Sequence, residues 1–279
     1  MTASTSPVPS ITLNNGVEIP QLGFGVFQVD PADTKRITLD ALDVGYRHID
    51  TAEMYRNEAG VGQAVRESSL DRADIFVTSK LNNQFHHPDH VRRAFQGTLD
   101  TLDIGYVDLF LIHWPLPHSD VDYLDTWKAM EGLLDGGLVR AIGVSNFQVA
   151  HLQRIIDGAS VVPAVNQIEL HPYLAQNELR DFDRTHDIAT EAWSPIARGK
   201  VLDDPVVTEV ATATERTPAQ VVLRWQVQRG EIVFPKSNSR SRIEENFALF
   251  DFELSDEQMD AISALNRDER IGPNPDTFG

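Results

Sequence analysis

The sequence predicts an α/β fold, a (β/α)8 TIM barrel with an amino-terminal β-hairpin plug and extra helices. Three observations predict it: strand-like and helix-like stretches alternate eight times, several of the strand-like stretches read as buried, and these close in a polar or charged residue. Runs that are apolar on both faces suit parallel strands covered by helices. Polar groups at the carboxyl ends of such strands converge on one mouth. The length of 279 residues fits one barrel of about 250 residues plus trimmings.

Taken in order, ITLNNGVEIPQLGFG opens with two short alternating segments about Asn14-Asn15-Gly16, a turn sequence that tolerates positive φ and predicts a hairpin across the barrel floor. The units then run LGFGV with ADTKRITLDALDVG, YRHID with AGVGQAVRES, IFVTSK with PDHVRRAFQGTLDTL, and VDLFLIH with YLDTWKAMEGLLDGG. They continue as VRAIGVS with AHLQRIIDGA, AVNQIEL with NELRDFDRTHD, IATEAWS with DDPVVTEVATATER, and IVFPKS with SRIEENFALF. TPAQVVLRWQVQRG is an additional helix between strands seven and eight, and RDERIGPNPDTFG, residues 267–279, is an irregular Pro/Gly/Asp-rich tail. By itself the tail reads equally as a frayed terminus. No linker or composition shift breaks the chain, so residues 1–279 are expected to form one domain.

Composition excludes several function classes. A net charge of −18 repels nucleic acid and anionic membrane, so any phosphate-bearing ligand needs a local basic cluster. Zero cysteines exclude disulfides and thiol chemistry. MTASTSPVPS lacks the charge and apolar stretch of a secretory signal, and no apolar run approaches a membrane span, so a soluble cytoplasmic protein is expected. GVG at residues 60–62 lies in a helix-like stretch rather than in a dinucleotide-binding turn. His86, His87 and His90 lack the partner spacing of a metal site and read as solvated, so no metal is expected.

Asp50 closes YRHID, Tyr55 follows in DTAEMYRNE, Lys80 closes IFVTSK and His113 closes VDLFLIH. Tyrosine, with an ordinary pKa of about 10, donates a proton near neutrality only if its phenolate is stabilised. Lys80 would lower the Tyr55 pKa through its charge, and Asp50 would keep Lys80 protonated. His113 would aim an imidazole N–H at a carbonyl oxygen as negative charge develops there. Singly, an Asp–Lys pair or a buried Tyr or His is ordinary core material, and a lysine at a strand end also suits a Schiff-base lyase. As an ordered set on successive strands the four residues point to proton delivery.

GYRHIDTAEMYRNE, the Lys80 strand, LFLIHWP, AIGVSNF, VNQIELHPYL and FPKSNSRSRIEEN resemble the aldo-keto reductases in order and spacing across nearly the whole chain. Within that family the chain is most similar to bacterial 2,5-diketo-D-gluconate reductases. The resemblance implies NADPH-dependent reduction of aldehydes and ketones by a monomer. Tyr55 would be the general acid, Asp50 and Lys80 would tune it, and His113 would orient the carbonyl. For the cofactor it implies Gly25 and Val26; Ser145, Asn146 and Gln167 at the carboxamide; Trp193 against the nicotinamide ring; and Ser194, Pro195 and Ile196 at the pyrophosphate. Lys236, Ser237 and Arg242 would take the adenosine 2′-phosphate, with Glu245 and Asn246 facing the adenine. The Ser-rich run before RIEENFALF also reads as a helix cap. Phe27, Asn82, His113 and Trp114 would wall the substrate pocket, with Phe278 from the tail draped over the mouth. Asn82 departs from the family's tryptophan, which predicts a wider and more polar wall. A nicotinamide-binding sensor with little turnover is the alternative reading.

Overall fold

The computed structural model describes residues 8–279. A hairpin comes first: β1 (Ser10–Thr12) pairs antiparallel with β2 (Glu18–Pro20), and Gly16 supplies the positive φ of 83° in the turn. Eight parallel strands follow: β3 (Phe24–Gly25), β4 (His48–Asp50), β5 (Phe76–Leu81), β6 (Val107–Ile112), β7 (Val139–Ser145), β8 (Val165–Glu169), β9 (Ala189–Trp193) and β10 (Ile232–Val233). They pair in chain order, and a parallel bridge from Leu22 to Val233, with Val233 N–H donating to Gln21 O at 3.0 Å, closes the ring. Each strand expected from the sequence is present.

The helices are α1 (Pro31–Val44), α2 (Glu58–Glu67), α3 (Pro88–Leu102), α4 (Tyr123–Asp135), α5 (Val149–Gly158), α6 (Asn177–Thr185), α7 (Pro205–Thr214), α8 (Pro218–Gln228), α9 (Arg240–Phe247) and α10 (Asp256–Ser263). Side chains of Asp30, Asp122, Asp204 and Thr217 cap α1, α4, α7 and α8, and proline follows the cap in three of these four, where its missing N–H costs nothing. Gly62 lets α2 lie on α3, since a Cβ there would meet the Leu102 carbonyl oxygen at 1.8 Å. That close approach, rather than a phosphate turn, accounts for the GVG motif.

Two cores result. One fills the layer between helices and strands. The other lies inside the barrel, where Leu13 and Ile19 of the hairpin pack with Phe76, Leu109, Leu111, Val165 and Ile232 and seal the floor. α10 was not anticipated from the sequence, although Ser255 and Gln258 form a capping box that marks its start.

Candidate active site

The floor is sealed, so the open end is the mouth formed by the strand carboxyl ends. A cleft of about 430 Å³ lies there. Asp50 ends β4, and Lys80 stands one residue before the end of β5 with its side chain fully buried. The Lys80 ammonium donates to both carboxylate oxygens of Asp50 at 2.8 Å and to Thr51 O at 2.9 Å. Three acceptors satisfy its three protons, which a buried ammonium requires.

Tyr55 ends a 3₁₀ turn, Glu53–Tyr55, that Arg56 terminates with φ 58°. Asn57 anchors this turn: its amide donates to Val26 O at 2.8 Å and accepts from the Thr51 hydroxyl at 3.0 Å. The Tyr55 ring centroid is then 5.0 Å from Lys80 Nζ, 5.7 Å from the His113 ring and 5.0 Å from Phe27. The structure therefore brings Asp50, Tyr55, Lys80 and His113 together, with the ion pair beneath and the two rings above.

The electrostatics correct one expectation. Burial raises the Tyr55 pKa; the Lys80 charge pulls it down, Asp50 pushes it up, and the outcome is above the ordinary value. Lys80 thus opposes desolvation of the phenolate without reversing it. For Lys80 itself burial lowers the pKa, but Asp50 and then Tyr55 outweigh it and the ammonium is favoured. Burial, then Lys80, then His86 hold the His113 pKa well below its usual value, so its imidazole is neutral near pH 7. Its Nδ1 is buried with no hydrogen-bond partner.

Among the other residues singled out, Gly25, Ser145, Asn146 and Gln167 line the cleft, as do Trp193, Ser194, Pro195, Ile196 and Lys236. Gln167 spends its amide N–H groups on Asp50 Oδ2 and Glu191 Oε2, both at 2.8 Å, which leaves its carbonyl oxygen for a donor. Trp193 Nε1–H donates to Asn146 Oδ1 at 2.8 Å, and Asn146 Nδ2 donates to His113 O at 2.9 Å. The loop after β9 holds Ser194, Ala197 and Arg198 at positive φ of 50°, 50° and 53°, a clustering of strained backbone beside the cleft.

Lys80, Val26, Ser237, Arg242, Glu245 and Asn246 do not line the cleft itself. Val26 is buried beneath the Tyr55 turn and offers its carbonyl to Asn57. Ser237 bonds to Ser239, and Glu245 accepts from the Thr217 hydroxyl at 2.8 Å. Asn246 is buried on α9. The serines do not cap α9, because Ser239 Oγ faces Ser241 Oγ at 2.9 Å and no side chain takes the first helical amides. Arg240 is spent on Asp40, Asp43 and Glu244, whereas Lys236 and Arg242 are exposed and make no ion pair among the described residues.

Phe27 and Trp114 line the cleft, but Asn82 does not; its amide donates to Glu53 and its oxygen accepts from Gln84 N–H. The wall is mainly aromatic and apolar rather than polar. Of the histidine cluster, His87 is solvated as expected, but His86 is only 3 % exposed, with both ring nitrogens unpartnered. Sequence reasoning missed Gln28, Met54, Arg198, Phe234, Pro235 and Pro273 in the lining. Phe234 and Pro235 follow a strand directly and were readable by the same rule as His113. Pro273 reaches the cleft along the tail, which local pattern does not reveal, and Phe278, expected from the tail, packs on Trp114 at 4.4 Å between ring centroids.

The model of the aldo/keto reductase family matches residues 21–267. An aldo-keto reductase of Mycolicibacterium smegmatis is 50% identical over 270 residues, covering 97% of this chain and 98% of that relative. The glyoxal reductase of Bacillus subtilis is 47% identical over 273 residues, covering 98% of each. A crystal structure of a Gox0644 mutant in complex with NADPH superposes with a TM-score of 0.94 at 42% identity, over 98% of this chain and 100% of that one. With this family-wide match joined to the barrel and its mouth, the chain belongs to the aldo/keto reductase family.

Proposed function

We propose that the protein reduces small carbonyl compounds with NADPH and that Tyr55 is the proton donor. The observation that carries this reading is the Tyr55 ring in the cleft, 5.7 Å from the His113 ring, above a fully buried Lys80–Asp50 pair. Desolvation keeps the phenol protonated near neutral pH, and Lys80 limits the cost of the negative charge that the phenol acquires on giving up its proton. Neutral His113 orients the carbonyl oxygen by hydrogen bonding. When bound, NADPH supplies the hydride that completes the reduction.

The residues present fit that cofactor. Gln167 presents a free carbonyl oxygen at the carboxamide position, and Trp193 offers an indole face in the cleft. Lys236 and Arg242 stand unpaired beside the uncapped start of α9, on a chain of net charge −18, which favours a phosphate monoester there. Ser145 and Asn146 flank the carboxamide position, Gly25 and Val26 support the floor beneath it, and Ser194, Pro195 and Ile196 form the pyrophosphate loop. Ser237 assists the 2′-phosphate, and Glu245 and Asn246 face the adenine.

Phe27, Trp114 and His113 form the substrate wall, and Asn82 acts behind it by holding Glu53. Residues 1–279 act as one domain whose tail, 267–279, completes the mouth. Small α-dicarbonyls are the favoured substrates, because Phe27 and Trp114 wall the cleft beside Tyr55 and His113 and the Bacillus subtilis relative is named a glyoxal reductase. The resemblance to 2,5-diketo-D-gluconate reductases makes keto-sugar acids the competing class. A panel of glyoxal, methylglyoxal and 2,5-diketo-D-gluconate with NADPH and NADH side by side tests the reading. Decay of reduced-nicotinamide absorbance fastest with NADPH and a dicarbonyl is expected; NADPH binding without turnover on any carbonyl would overturn it in favour of a sensor.

A further inference from the structure

Beyond α10 the chain runs to Gly279 without regular structure, yet its backbone is tied down at successive points. Glu269 N–H donates to Tyr173 O at 3.0 Å and the Arg270 guanidinium to Gln176 Oε1 at 3.0 Å. Then Ile271 N–H and Gly272 N–H donate to the two carboxylate oxygens of Glu169, at 2.6 and 2.9 Å. Glu169 is the last residue of β8 and only 1 % exposed, and His171, fully buried, lies 3.0 Å from its Oε1. A buried carboxylate is costly unless donors surround it, and here the donors are tail amides more than a hundred residues away. Burial pushes the Glu169 carboxyl up, but the bonds from His171, Ile271 and Gly272 outweigh it and hold it below the ordinary range.

The clamped backbone lies against Trp193. A Cβ on Gly272 would stand 2.4 Å from Trp193 Cη2 and 2.9 Å from Glu169 Oε2, so only glycine allows the tail to lie flush between the indole and the carboxylate. Pro273, the next residue, lines the cleft. The far side of the indole is fixed by its bond to Asn146, which in turn holds the His113 carbonyl. Trp193 is therefore gripped from the tail at one edge and from β7 at the other.

We propose that Glu169 is a positioning residue: by accepting the Ile271 and Gly272 amides, it presses the tail onto Trp193 and fixes the plane on which the nicotinamide stacks. The cofactor part of this statement rests on the function proposed above. Hydrogen bonds to a charged group are worth enough that Glu169→Gln should weaken NADPH binding about tenfold. A chain ending at Arg270, which also loses Pro273 from the cleft, should show at least that loss, and Glu169→Gln should add nothing further in it. Gly272→Ala, which keeps the carboxylate and introduces the clash, should move Trp193 in the same sense.

Two readouts, taken on the full-length and the shortened chain, test this: NADPH affinity by fluorescence titration, and acrylamide quenching of the ligand-free protein, with Trp193→Phe subtracted to isolate the Trp193 signal. Greater quenching and weaker NADPH binding in Glu169→Gln and Gly272→Ala, with no additional effect of Glu169→Gln in the shortened chain, is the expected result. A lower melting temperature with unchanged Trp193 quenching and NADPH affinity would overturn the proposal, as would an undiminished effect of Glu169→Gln in the shortened chain. If wild-type protein fails to bind NADPH while the quenching shifts appear, the clamp stands and the cofactor assignment falls.

Discussion

The two ends of the barrel use buried charge differently. At the floor, Asp108 at the start of β6 accepts from Arg72 at 2.8 Å, Arg140 at 2.6 Å and Val77 N–H at 2.9 Å, and its side chain is saturated. At the mouth, the Lys80–Asp50 pair is equally well bonded, but groups around it are left incomplete among the described residues: the Gln167 side-chain oxygen accepts no hydrogen bond, and Lys236 makes no ion pair. The difference teaches where stability and chemistry part. Saturated charge locks strands together, whereas unsaturated polar groups at the mouth leave bonding capacity facing the cleft.

The largest effect should come from breaking the mouth pair. Lys80→Met leaves Asp50 without its cation and the Tyr55 phenolate without its counter-charge, and turnover should fall by about 10³-fold, a typical worth of a general acid. Steady-state kinetics on a dicarbonyl checks this. At the floor the reverse pattern is expected: Asp108→Ala removes the acceptor shared by Arg72, Arg140 and Val77 N–H and should cost about 1–3 kcal/mol in urea unfolding, while turnover per folded molecule is unchanged. Were Asp108→Ala to lower turnover as much as Lys80→Met, the contrast between the ends would fail.

A smaller effect separates the arginines of α9. Arg242→Ala should raise the NADPH KM about 10–100-fold and leave that of NADH nearly unchanged, because it removes charge-assisted bonds to one phosphate. Arg240→Ala should do neither, since Arg240 is already paired with Asp40 and Glu244.

The smallest effect is a slope. Beneath the mouth, burial and then Asp50 push the Glu191 carboxyl up to about 8, and burial alone leads the rise of Asp183 and Glu58 to about 7. An acid whose pKa is higher folded than unfolded binds more protons in the native state. Its stabilisation is full below the unfolded pKa, near 4.5, and is lost as pH rises toward the folded value. Unfolding free energy should therefore decline between about pH 5 and pH 8. Glu191→Gln should flatten that decline in denaturation curves taken across the range; an unaltered slope would show that Glu191 is already ionised in the fold.

Much of this was legible in the sequence. The barrel rhythm showed because strand-like and helix-like stretches alternate along the chain, and Asp50 and His113 showed because each closes or follows a buried strand. Other features depended on distance along the chain. Glu169 stands inside a quoted motif, but its partners Ile271 and Gly272 are about a hundred positions later and enter only as backbone amides, which carry no residue signature. The direction of the Tyr55 pKa was misjudged because charge is visible in sequence and burial is not. The Ser-rich start of α9 looked like a cap, yet the serine hydroxyls bond to one another. α10 was legible from Ser255 and Gln258 but lies beyond the eight-fold repeat that organised the rest.

The central claim is that a desolvated phenol, steadied by a buried ammonium, delivers the proton. Tyr55→Phe tests it most directly, because it removes one oxygen and leaves Lys80, Asp50 and the cleft in place. Turnover of a dicarbonyl with NADPH should drop by about 10³-fold while the NADPH Kd stays at the wild-type value. Turnover within a few fold of wild type would contradict the account.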